Sequence, residues 1–230
     1  MATDGLALNR AVVFASAVVY WAGVWIQTRR VRRRTGRSAN SRPRGLKERL
    51  LWVGWIFVVA AWLALPFLST SGTGLPGVVI IPSLVHPVGR ALGLIMMAAG
   101  YAGTIWCYIS MGNAWRMGVN RTEKTDLVTR GPYRLVRHPI YLCQVVMVAA
   151  IALLLPSVLS LIILIIHLLC VSIKAADEES HLRAVLGRGY EAYCAHTGRW
   201  FPPLLRRESP AALSSVMDPD HRKPAKPPFK

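Results

Sequence analysis

Apolar residues fall into long blocks along this chain, with the polar ones gathered between them. The first block, residues 6–26, has the length a bilayer needs and is closed by Tyr20, Trp21 and Trp25, an aromatic belt at its end. Residues 50–68 form a second block, ended by Pro66, and residues 90–109 a third, in which Gly93, Gly100 and Gly103 permit close helix approach. Residues 140–171 are broken by Pro156 and Ser157 into two segments of about sixteen residues each, a length that predicts a tight helical hairpin. The pattern predicts an all-α fold, a polytopic membrane bundle of about five transmembrane helices with a further helical segment after the last.

The stretches between the blocks set the expected orientation. Residues 29–49 carry ten Lys/Arg against one acid, Glu48, whereas residues 69–89 carry no charged residue other than His86. Basic loops stay on the cytoplasmic side, so the N-terminus is expected outside and the C-terminus in the cytoplasm. Residues 110–139, with six Lys/Arg against Glu123 and Asp126, and residues 172–230, with ten basic and seven acidic residues, agree with that arrangement. The N-terminus lacks a basic leader region, so the first block is read as a retained span. The net charge of +17 belongs to these flanks and points to anionic membrane lipids rather than nucleic acid. Cys107, Cys143, Cys170 and Cys194 form no CxxC pair and read as small core residues. The sequence favours no oligomeric state.

Candidate chemistry concentrates where charge abuts an apolar block, in GPYRLVRHPIYL over residues 131–142. Pro139 biases His138 away from helical dihedrals and suits the first turn of a helix, so Arg134, Arg137 and His138 are placed at its mouth. Unpaired N–H groups there, with Arg137, would hold a carboxylate or phosphate; a positive-inside flank with a turn is the plainer alternative. After the last block come Glu178-Glu179-x-x-Leu182, Gly189-Tyr190-x-x-Tyr193 and Arg199-x-x-Pro202.

The ordered set RHPIY, EExxL, GYxxY and RxxP, over roughly residues 106–204, resembles the integral-membrane family of isoprenylcysteine carboxyl methyltransferases and phospholipid methyltransferases. The resemblance implies S-adenosylmethionine as cofactor and assigns His138, Tyr141, Glu178 and Glu179 to it. Around these, Arg137 and Pro139 at the helix mouth would help hold the cofactor's carboxylate, and Tyr133 and Tyr190 would shield its ring. Arg116 and Arg199, with Glu179, are the candidates for orienting the acceptor or balancing charge as the sulfonium disappears; methyl transfer needs positioning more than a strong base. Pairing of Arg199 with Glu178, Glu179 or Glu191 is the structural alternative. Cys143 stands where the family commonly has a small residue, which bears on the fit around the cofactor.

Three segments are expected: residues 1–109 with three spans, 110–205 as the methyltransferase core and 206–230 as a basic, Pro-rich disordered tail. The acceptor is expected to be a lipophilic or lipid-linked thiol, carboxylate or amine. A sterol-reductase-like NADPH enzyme and a non-catalytic lipid- or partner-binding membrane protein are the competing readings. No metal is expected, since Glu178-x-x-His181 occurs once with no second cluster. His167, at membrane depth, reads either as functional or as a neutral imidazole bonded to a neighbouring helix.

Overall fold

The computed structural model of the protein describes residues 2–36, 45–69, 78–112, 115 and 127–203. Among these residues the architecture is all-α. The helices are α1 (Ala2–Thr35), α2 (Leu46–Leu68), α3 (Pro87–Met111), α4 (Pro139–Leu154), α5 (Val158–Leu186) and α6 (Arg188–His196). Four of them, α1, α2, α3 and α5, are long and apolar enough to cross a membrane; α4 is apolar but has 16 residues. The hairpin over residues 140–171 is therefore present, with α4 as its short arm. Ile26, Val53, Ile105, Ile109 and Leu169 stay exposed on the outside of the bundle, as lipid-facing side chains would.

Two boundaries differ from expectation. α1 runs on to Thr35, so Arg29 to Arg34 are helical rather than loop; arginine is a good helix former, and three arginines in the last turn meet the negative end of the helix dipole. α2 continues two residues past Pro66, which lies buried in its last turn. Arg116 and the tail over residues 206–230 lie outside the described residues, as do residues 37–44 of the basic loop.

The tightest pair is α3 against α4, and glycine makes it so. A Cβ at Gly100 would stand 2.4 Å from Met147 Cγ and 3.1 Å from the Cys143 carbonyl oxygen; one at Gly93 would stand 3.0 Å from Leu154. Without side chains at those positions the two backbones close up, the arrangement lipid-embedded helices use when no hydrophobic drive joins them. At the far end of the hairpin, Ser157 and Ser160 cap α5 reciprocally. The Leu154 carbonyl accepts from Asn9 Nδ2 at 2.9 Å and the Pro156 carbonyl from the Ile81 N–H at 2.9 Å. Backbone acceptors at membrane depth are thus met by neighbouring elements, as a medium without water requires.

α5 leaves the apolar region without a break and carries Glu178 and Glu179 with it. Gly187, at φ 53, turns the chain into α6. Beyond α6, residues 197–200 fold back beside residues 136–138: Val136 bridges Gly198 in parallel, and the Arg137 N–H donates to the Gly198 carbonyl at 2.8 Å. The two ends of the candidate core are therefore sewn together by backbone.

Candidate functional site

The local sequence explains how each group is held. A 3-10 turn, Gly131–Arg134, starts from Gly131 at φ 62 and buries Tyr133. Pro139 takes the first position of α4 and His138 precedes it, with φ −124 and no side-chain cap, so the first-turn N–H groups have no side-chain acceptor from that residue. Opposite them, Glu178 and Glu179 sit on consecutive residues of α5. They point to different partners because adjacent helix positions are about 100° apart.

Glu179 is completely buried and is the hub. Arg137 Nε donates to its Oε1 at 2.9 Å, Arg199 clamps both oxygens at 2.9 and 2.7 Å, and Arg183 Nη2 donates to Oε2 at 3.1 Å. His138 Nε2 lies 3.3 Å from Oε1; because a carboxylate only accepts, we assign the ring proton to Nε2. Arg137 also donates to the carbonyls of Thr197 and Cys194, fixing the segment after α6. Three guanidiniums around one carboxylate leave a surplus of positive charge. Pairing with Glu179 raises the pKa of Arg199 still further, so this cation is permanent.

Glu178 faces the other way. Its Oε1 accepts from the Tyr141 hydroxyl at 2.6 Å, and its Oε2 lies 3.7 Å from His138 Nδ1. His138 thus stands between two carboxylates, stacked at 5.7 Å on Tyr141 and tilted against Trp200. Burial pushes its pKa down to about 4, outweighing the pull of Glu179, whose charge the arginines already meet. At neutral pH it is an uncharged imidazole. Burial likewise pushes the Tyr133 hydroxyl well above its ordinary range, and the Tyr133 carbonyl accepts from Tyr193 at 2.7 Å. Tyr190 is buried beside Tyr193, with the Arg183 guanidinium 5.9 Å from its ring.

These contacts bring together Arg137, His138, Pro139, Tyr141, Glu178, Glu179 and Arg199, with Tyr133 and Tyr190 packed against the rim. Arg199 and Glu179, both expected to act on the acceptor, are bound to each other, the structural alternative anticipated for Arg199. Sequence reasoning overlooked Arg183, although its i,i+4 spacing from Glu179 was a usable signal. It also overlooked Trp200, whose contact depends on the Val136–Gly198 bridge and leaves no trace in local sequence. Gln144 was missed as well: it is one turn into α4 from Tyr141, donates to the Tyr20 hydroxyl, and among the described residues its buried Oε1 has no partner. His167 sits edge-on to Trp55 at 5.1 Å, and among the described residues neither of its ring nitrogens has a hydrogen-bond partner, so the bond to a neighbouring helix, one of its two readings, is not formed there.

Residues 88–189, from the start of α3 to the start of α6, match the family model described as phospholipid methyltransferase. This segment is similar to that family of methyltransferases. The match reaches further back than expected, through the whole of α3, and stops one residue short of Tyr190. A further likeness is to the nickel-cobalt-cadmium resistance protein NccN of Alcaligenes xylosoxydans xylosoxydans, 26% identical over 120 residues. That alignment covers 51% of this chain and 53% of the relative, so the chain spans about half the length of the curated relative it matches. The matched segment contains both halves of the cluster, the His138 corner and the two carboxylates; Arg199 and Trp200 come from outside it.

Proposed function

We propose that the protein transfers a methyl group from S-adenosylmethionine to a lipophilic or membrane-embedded thiol, carboxylate or amine at the cytoplasmic face. The observation that carries this reading is the meeting of His138 and Tyr141 with Glu178 and Glu179, from the two ends of the hairpin in the methyltransferase segment. The groups present fit such a cofactor. The uncapped start of α4 and the surplus of guanidinium charge suit a carboxylate. Glu178, which accepts from Tyr141 and faces His138, suits an ammonium or ribose hydroxyl. The unpartnered Oε1 of Gln144 offers one more acceptor, and the aromatic faces of Tyr141 and Trp200 suit a purine.

When bound, S-adenosylmethionine supplies a methyl group activated by its sulfonium. The protein's own part is to place and desolvate. Glu179 holds Arg137, Arg183 and Arg199 in one frame; that frame fixes residues 197–200 over His138. The neutral imidazole orients without adding a cation beside a sulfonium, and burial in a membrane-embedded bundle keeps water from the acceptor. In this scheme Arg199 and Glu179 position the site, while His138, Tyr141 and Glu178 touch the cofactor.

Titration calorimetry of the detergent-purified protein with S-adenosylhomocysteine tests the reading. Binding is expected, weakened about 10-fold or more in Glu178→Gln, since one charge-assisted hydrogen bond is worth roughly 1.5–3 kcal/mol. A folded protein that binds NADPH and not S-adenosylhomocysteine would overturn it in favour of the reductase reading.

A further inference from the structure

α1 lies wholly outside the methyltransferase segment, yet its basic end is not a featureless flank. A cleft of about 210 Å³ opens between it and the end of α3, lined by Gln27, Arg30, Val31, Arg34, Tyr108 and Ile109. Arg30 and Arg34 are one turn apart and stand on the same side of α1. Among the described residues neither has an ion-pair partner. Gln27 is 8% exposed, and among the described residues no side chain hydrogen-bonds its amide, which faces the cleft. The depth of the cleft is marked on the neighbouring face of the same helix, where the Arg29 guanidinium lies 3.8 Å over the Trp25 ring. That amphipathic pair belongs at the boundary between headgroups and acyl chains. From Ile109 in the cleft wall the apolar surface continues one turn along α3 to Ile105; the two are 72% and 56% exposed.

We propose that this cleft is a headgroup site for one anionic phospholipid, separate from the methyl-transfer corner. Arg30 and Arg34 take the phosphate, Gln27 takes a headgroup oxygen, and an acyl chain lies along Ile105 and Ile109. Two guanidiniums one turn apart, with no carboxylate paired to either among the described residues, favour an anion. The small volume admits a headgroup and excludes the chains, and the exposed isoleucines below it provide the apolar path that a free phosphate would not use. Nothing in the assignment depends on the cofactor.

Native mass spectrometry of the detergent-solubilised full chain, titrated with dioleoyl-phosphatidylglycerol or dioleoyl-phosphatidylcholine, tests it. One phosphatidylglycerol is expected to be retained in preference to phosphatidylcholine. Arg30→Gln/Arg34→Gln should weaken retention roughly 30-fold, the effect of two basic side chains at a membrane surface. Arg32→Gln/Arg33→Gln removes the same charge outside the cleft and should change it less than about threefold. Equal retention of the two lipids, or equal weakening by the two double variants, would overturn the site. Glycerol 3-phosphate competing as well as the lipid would overturn the lipid and leave a free phosphate as the ligand. S-adenosylhomocysteine binding should be the same in both double variants, which separates this test from that of the methyl-transfer reading.

Discussion

At the scale of single residues the site turns on one carboxylate. Glu179 is buried and gripped by three arginines, so removing it strands cations rather than merely deleting a contact. Glu179→Ala should lower the unfolding free energy by about 3 kcal/mol, the range for breaking a buried pair from one side. Arg199→Ala should cost nearer about 1 kcal/mol, because that side chain is 40% exposed and rehydrates; denaturant unfolding in detergent compares the two. His138 gives a pH dependence. Its folded pKa, about 4, lies below the ordinary 6.5, so between those values the unfolded chain binds more protons. Stability is then complete above about pH 6.5 and falls by about 3 kcal/mol as pH drops to 4. His138→Asn should flatten that part of the profile; an unchanged slope would mean another group titrates there. The carboxylates and the RHP corner were legible in sequence as motifs. Their mutual binding was not, because whether a buried acid meets a ligand or an arginine is decided by which helix faces which.

At the scale of elements, the contact of α3 with α4 holds the site's inner wall. Gly100→Ala would put a methyl group 2.4 Å from a side chain that is itself fully buried and 3.1 Å from backbone. It should destabilise by about 1–3 kcal/mol, as overpacking does. Gly89→Ala, on the same helix with nothing within 4 Å, should do no harm; thermal scanning of both variants is the check. Block lengths and the Pro156-Ser157 break revealed five helices, and the glycine spacing revealed which span would be approached closely. The partner in that approach was not readable, since all the blocks are apolar and composition distinguishes none of them. The extension of α1 through five arginines was hidden for a related reason: a basic run reads as loop when judged by membrane flanks and as helix when judged by propensity.

At the scale of the whole molecule, the charge-free loop at one end and the basic segments at the other give an orientation that reporter fusions can read. Alkaline phosphatase should be active at the N-terminus, and a fluorescent protein should mature at the C-terminus; the reverse result would move the site to the outer face. The apolar helices came from pattern alone, whereas the return of residues 197–200 across the His138 corner is a tertiary event with no local signature. A last consequence concerns α5. Its 29 residues make an unbroken rod of about 44 Å, of which a bilayer core of about 30 Å covers only part. Glu178 and Glu179 ride near the projecting end, at a height set by the capped serine corner on the opposite side. The His138 corner rides on α4, which is too short to span and is tied to α5 at that same corner. A thicker bilayer would tilt or sink the long rod and the short one by different amounts. Acyl-chain length should therefore load the contacts that hold imidazole and carboxylates together against that difference, the His138–Glu179 pair and the Val136–Gly198 bridge.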